Sequence, residues 1–197
     1  VRWNFLLFIL LCFPAFSGAE TPDNTLGWSQ PVKGLRARLL IEPGAEGKSD
    51  GTFEVRIEFE EVGIETSLGL THFERKFSFS KSWMNFTVQD QTGRVIAPTG
   101  ALSGNETVPV WDLVLPPGGR ISLPIGKGGR DGKGIPPLDS TSLSFGIFAQ
   151  WLIPAGSHFR LSATFSSDSA WHGSAWKDVH DPWTGKLALP AIEVPTN

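Results

Sequence analysis

The strongest constraint in this chain is a two-residue hydrophobic alternation. Phe53, Val55, Ile57 and Phe59 alternate with Glu54, Arg56, Glu58 and Glu60. Successive side chains of an extended strand point to opposite faces, so one face here is apolar and the other charged. A slip of one residue would bury Glu54, Arg56 and Glu58, which fixes the register firmly. The same period recurs twice. Leu35, Ala37, Leu39 and Ile41 alternate with Arg36, Arg38, Leu40 and Glu42, and Phe159, Leu161, Ala163 and Phe165 with Arg160, Ser162 and Thr164. Turn residues separate such runs at 43–51, at Asp90-Gln91-Thr92-Gly93, at Pro116-Pro117-Gly118-Gly119 and at Pro154-Ala155-Gly156. With 22 Gly, 15 Pro and no long stretch of helix formers, the chain points away from helix.

Further strands are expected over Met84–Asp90, Glu106–Leu115 (broken at Pro109), Arg120–Ile125 and Leu187–Val194. Phe73, Phe77 and Phe79 alternate with charge, which fits an edge strand and an ordered loop equally. Residues 126–138 read as a glycine-rich loop. The stretch from Ser142 to Ile153 is apolar on both parities, which predicts a central strand buried on both faces; a short buried helix fits nearly as well. The expected fold is all-β, an antiparallel sandwich of about eight or nine strands over residues 34–195. A closed barrel is the alternative. In the sandwich, Phe53, Val55, Ile57 and Phe59 share a core with Phe145, Ile147, Leu161 and Phe165.

Ahead of this domain lies an extended lead-in, residues 20–33, and before it a leader. Arg2 is followed by an apolar run from Phe5 to Phe13, then Pro14 and the small-residue sequence Ser17-Gly18-Ala19. A short basic start, an apolar core of about ten residues and a small-x-small site read as a secretory signal peptide over residues 1–19. The run is shorter than the roughly twenty residues a bilayer requires. Cys12 sits inside it without the small residues of a lipobox, so it reads as apolar filler that leaves with the signal. The expected location is periplasmic or extracellular, with no cysteine left to form a disulfide.

Arg2 is the only charge in the leader, so the remainder carries sixteen basic and twenty acidic side chains. That mild acidity implies no basic face and argues against nucleic acid as a partner. No second long apolar segment exists, so no membrane span is expected.

Four phrases carry a resemblance: Gly34-Leu35-Arg36-Ala37-Arg38-Leu39 after Trp28; Pro116-Pro117-Gly118-Gly119 before a strand; Ile153-Pro154-Ala155-Gly156 before Phe159-Arg160-Leu161; and Trp183-Thr184-Gly185-Lys186-Leu187 leading into the last strand. Together they resemble the immunoglobulin-like domains common in exported bacterial proteins of unknown role. A looser similarity is to an immunoglobulin-like bacterial proteinase-inhibitor domain, which shares the hairpin rhythm. The resemblance spans roughly residues 28–195 and implies a β-sandwich that binds or scaffolds. Its motifs are turn signals, which report topology rather than chemistry. Without a cysteine pair the chain is not an antibody-type domain.

The most unusual segment is residues 169–183. It crowds Trp171, Trp176 and Trp183 with His172, His180, Asp178 and Asp181 into a polar stretch. Two readings stand: Trp rings folded back over the end of the sandwich, or an aromatic platform for a glycan or peptide. In the second, Trp171, His172, Trp176, Asp178, His180 and Trp183 form the ligand-binding set. The histidines and aspartates lack a recognised metal-ligand spacing, so neither a metal nor a cofactor is assigned. The glycine-rich loop around Lys133 fails the P-loop pattern, because Gly134 follows where Ser or Thr is needed. The chain has no Gly-x-Ser-x-Gly, no His-Glu-x-x-His and no cysteine nucleophile outside the leader, and it reads as a non-enzyme. A catalytic carboxylate pair leaves no sequence signature to test. The expected partner is a protein or a glycan.

Overall fold

The computed structural model of the chain describes residues 27–44, 51–100, 108–129, 140–154, 156–168 and 182–196. The signal peptide expected over residues 1–19 and most of the Trp-rich segment lie outside these residues. Within them the protein is all-β, with every strand pair antiparallel and a single 3-10 turn at Lys81–Trp83. No helix among the described residues is long and apolar enough to cross a membrane.

Thirteen strands are present among the described residues. The larger sheet runs β1 (Leu35–Pro43), β2 (Phe53–Glu61), β9 (Arg120–Gly129), β10 (Ser140–Ser144) and β11 (Gln150–Pro154). Its first two strands are the alternating segments read from sequence. They pair with Leu39 opposite Ile57 and Ala37 opposite Phe59, so both apolar faces turn the same way. On the outer face Arg36 meets Glu60 at 2.6 Å and Arg38 meets Glu58 at 2.7 Å. The β2–β9 ladder shifts register where Val55 faces Gly126 but Arg56 faces Pro124, leaving Ile125 as the extra residue. Proline offers no N–H to a ladder, and a bulge of this kind bends its strand. The sheet is accordingly curled into a half-barrel.

The facing sheet is β13 (Gly185–Val194), β12 (Phe159–Ser167), β6 (Met84–Asp90) and β7 (Val95–Ile96). It too carries a bulge beside a proline: Leu161 pairs with Ile192 but Ala163 with Leu189, so Pro190 and Ala191 oppose Ser162 alone. One hydrophobic core joins the two sheets. Phe59 of β2 is its hub, with ring centroids 5.3 Å from Phe165, 4.9 Å from Phe77 and 5.7 Å from Phe79.

Two expectations need correction, and one open choice is decided. The 142–153 run is neither one buried strand nor a helix but the hairpin β10–β11. Gly146 turns it with φ +68°, and Phe145 N–H donates to Ala149 C=O at 2.9 Å. Leu143, Phe145, Ala149, Trp151 and Ile153 all point inward, while Ile147 sits half-buried in the turn and not in the core. The start of the 126–138 loop is ordered as the end of β9. Finally, the ambiguous 64–82 stretch is a hairpin, β3 (Ile64–Thr66) and β4 (Gly69–Thr71), followed by β5 (Arg75–Phe79). Strand β5 pairs with β8 (Trp111–Leu115) as a separate two-stranded ribbon.

Candidate functional site: the β5–β8 ribbon and its hairpin

Of the six residues expected to bind a ligand, Trp171, His172, Trp176, Asp178 and His180 lie outside the described residues. Trp183 is described, and its ring is not available to a ligand. It is only 4 % exposed. It stacks on Phe165 with centroids 6.1 Å apart and meets Phe77 edge-on at 6.2 Å. Its indole N–H donates to Val32 C=O at 2.7 Å, and its backbone N–H to Lys76 C=O at 2.8 Å. A buried Trp needs such a partner for its one polar atom, and this ring caps the core in the manner of the fold-back reading. Among the described residues no group of three or more His, Cys, Asp or Glu is placed to hold a metal ion.

Exposed apolar surface is concentrated elsewhere. Eight large apolar side chains are exposed among the described residues, and six belong to two short segments: Leu68, Leu70 and Phe73, and Val110, Trp111 and Val114. The second segment lies on the β5–β8 ribbon, and the first on the separate β3–β4 hairpin and the link into β5. Leu68 and Leu70 occupy the β3–β4 hairpin, Phe73 precedes β5, and the other three lie on or just before β8. The ribbon's inner face is fixed to the core by Phe77, Phe79, Leu113 and Leu115. Trp111 stacks on Phe79 at 5.7 Å and remains about one-third exposed, at 37 %. On the other face Ser78 donates to Asp112 at 2.6 Å.

The edges of this ribbon differ. Lys76 C=O on β5 accepts the backbone N–H of Trp183. Strand β8 pairs with β5 and, among the described residues, with no other strand. Proteins usually blunt such an edge with lysine, proline or a bulge. Residues 111–115, Trp-Asp-Leu-Val-Leu, contain none of these, and Pro109 and Pro116 frame them.

One buried carboxylate holds the end of the ribbon together. Glu61, at the end of β2, is 1 % exposed. Its Oε1 accepts the N–H groups of Gly63 at 2.8 Å and Phe73 at 3.3 Å. Its Oε2 accepts the Gly118 N–H at 2.7 Å and lies 2.7 Å from His72 Nδ1. Burial pushes this carboxyl upward, but the donors from Gly118, His72, Phe73 and Gly63 outweigh it and hold Glu61 below the ordinary glutamate value. The charge therefore ties both sides of the hairpin and the turn after β8 to the main sheet. Sequence analysis did not single out Glu61. Its one available signal was a polar residue where the alternation calls for an inward position.

No protein-family model, curated protein or solved structure matches the chain.

Proposed function

We propose that this is an exported, non-catalytic, immunoglobulin-like sandwich domain that binds an extended segment of a partner protein along β8. Export rests on the leader sequence alone. The sandwich reading is supported by two antiparallel sheets facing each other across one core. The observation that carries the binding reading is the exposure of Val110, Trp111 and Val114 on and beside a strand that, among the described residues, pairs on one side only. An added strand would satisfy the open backbone groups of β8, while Val110, Trp111 and Val114 would supply side-chain specificity. A non-catalytic role is supported by the use of carboxylates in the framework. Glu58 and Glu60 pair with arginines, and Glu61 is consumed by its four donors.

Selection of peptides from a displayed random library tests the reading. Selected peptides should be β-formers, and combining Val110→Lys with Val114→Lys should weaken them at least about tenfold, roughly 1.4 kcal/mol. Both side chains are exposed, so the melting temperature should not change. A library that yields no binder, or binders indifferent to the double substitution, would sink the proposal.

A further inference from the structure

A second surface, on different strands, has the chemistry of a small-ligand site. Strand register aligns Glu54 of β2, Lys127 of β9, Ser144 of β10 and Gln150 of β11 in one row across the larger sheet. One step along, Gly129 faces Ser142. These residues line a cleft of about 490 Å³, within the range of small-molecule sites, about 300–1,000 Å³.

The glycines here are explained by packing. A Cβ on Gly128 would lie 2.0 Å from the Phe53 ring, and one on Gly129 would lie 2.6 Å from Thr52 Cα. The space those side chains would take is filled by the Phe53 ring and Thr52, both of which line the cleft beside the polar groups.

What packing does not explain is the state of the polar groups. The larger sheet carries five basic side chains, and four of them are paired. Arg36 and Arg120 reach Glu60, Arg38 reaches Glu58, and Arg56 reaches Glu54. Lys127 is the exception: among the described residues no carboxylate lies within ion-pair distance. Its cross-strand neighbour Glu54 is engaged by Arg56 at 2.5 Å. The Ser144 hydroxyl makes no hydrogen bond among the described residues. Ser142 accepts from Gln150 Nε2 at 3.1 Å, which leaves its own hydroxyl proton to donate.

We infer that this cleft binds an acidic saccharide, its carboxylate on Lys127 and its hydroxyls on Ser142, Ser144 and Gln150. One open cation among hydroxyl and amide groups suits a ligand with one negative charge and several hydroxyls. A single ammonium is too little for a polyanion, whose binding needs many neutralised charges. A neutral apolar ligand would suit the Phe53 and glycine lining but would leave Lys127 and the Ser144 hydroxyl without a partner.

Calorimetric titration of the chain with a glucuronate-terminated disaccharide, and with its neutral glucose counterpart, tests this. The acidic sugar should bind at least about tenfold more tightly than the neutral one. Lys127→Met should remove that preference, Lys127→Arg should keep most of it, and melting temperatures should be unchanged because Lys127 is exposed. The inference is overturned if neither sugar binds, if both bind equally, or if Lys127→Met leaves the preference intact. It is also overturned if acetate competes as well as the disaccharide does, since that describes an ion site only. The peptide-binding proposal stands or falls separately, because Val110 and Val114 do not line this cleft.

Discussion

Glu61 shows how much one residue can hold. Its two oxygens receive four donors from three pieces of chain: Gly63, the His72–Phe73 pair and Gly118. Glutamine keeps the shape but loses the charge, and its amide turns an N–H group toward N–H donors. Glu61→Gln should therefore cost about 2–4 kcal/mol, the range for stranding buried donors. Urea denaturation measures it, and a loss under about 0.5 kcal/mol, the size of an ordinary surface change, would show that the loops hold without the carboxylate. Arg75 is the opposite case. Its Nε and Nη2 are buried with no hydrogen-bond partner among the described residues, and its guanidinium carbon sits 5.3 Å from the Phe73 ring. The Phe73 face offsets part of that unmet demand.

At the scale of elements, alternation set the faces of β1, β2 and β12 correctly. Phe53, Val55, Ile57 and Phe59 are all buried, and Phe59 reaches Phe165 across the core. Ile57→Ala should cost about 2–5 kcal/mol as a core truncation. Glu58→Leu, on the outer face, should cost much less, chiefly the contact with Arg38. Chemical denaturation of the two variants gives the comparison, and a reversed order would mean the strand faces are exchanged. Alternation failed at 142–153 for a physical reason. Gly146 puts a hairpin turn in the middle of the run, while Ile147 and Phe148 in that turn are apolar and hide it. A turn is recognised by polar punctuation, and this one has only its glycine.

For the whole molecule, acid should be the weak direction. The Glu61 carboxyl is held below its ordinary value of 4.5, so its contribution is complete above that pH and is lost as pH falls through the lower, folded value. Asp90 is lowered as well, first by the Thr92 hydroxyl, against a desolvation that works the other way, with help from the Arg94 and Thr92 N–H groups. Its partners, Thr92 and Arg94, belong to its own surface turn, so it adds little. Stability should thus fall as pH drops below the ordinary glutamate value of 4.5. Glu61→Gln should flatten much of that fall, whereas Asp90→Asn should leave it almost unchanged. Denaturation midpoints above and below that value check both, and an equally steep fall in Glu61→Gln would move the acid sensitivity elsewhere.

The sequence by itself determined the all-β class, the inward faces of the long strands and the main turns. These depend on residues two to four apart, so local pattern carries them. It also contained the two prolines, Pro124 and Pro190, that lie beside the bulges, but it did not show which ladder each would disturb. Only the tertiary structure decided which strand pairs with which. That choice buried Trp183 against Phe165 and Val32, left β8 with one neighbour among the described residues, and aligned Lys127 with Ser144 and Gln150. Period-two alternation says which way a side chain points. The neighbour it meets is set by contacts tens of residues away, and both proposed sites arise from those contacts.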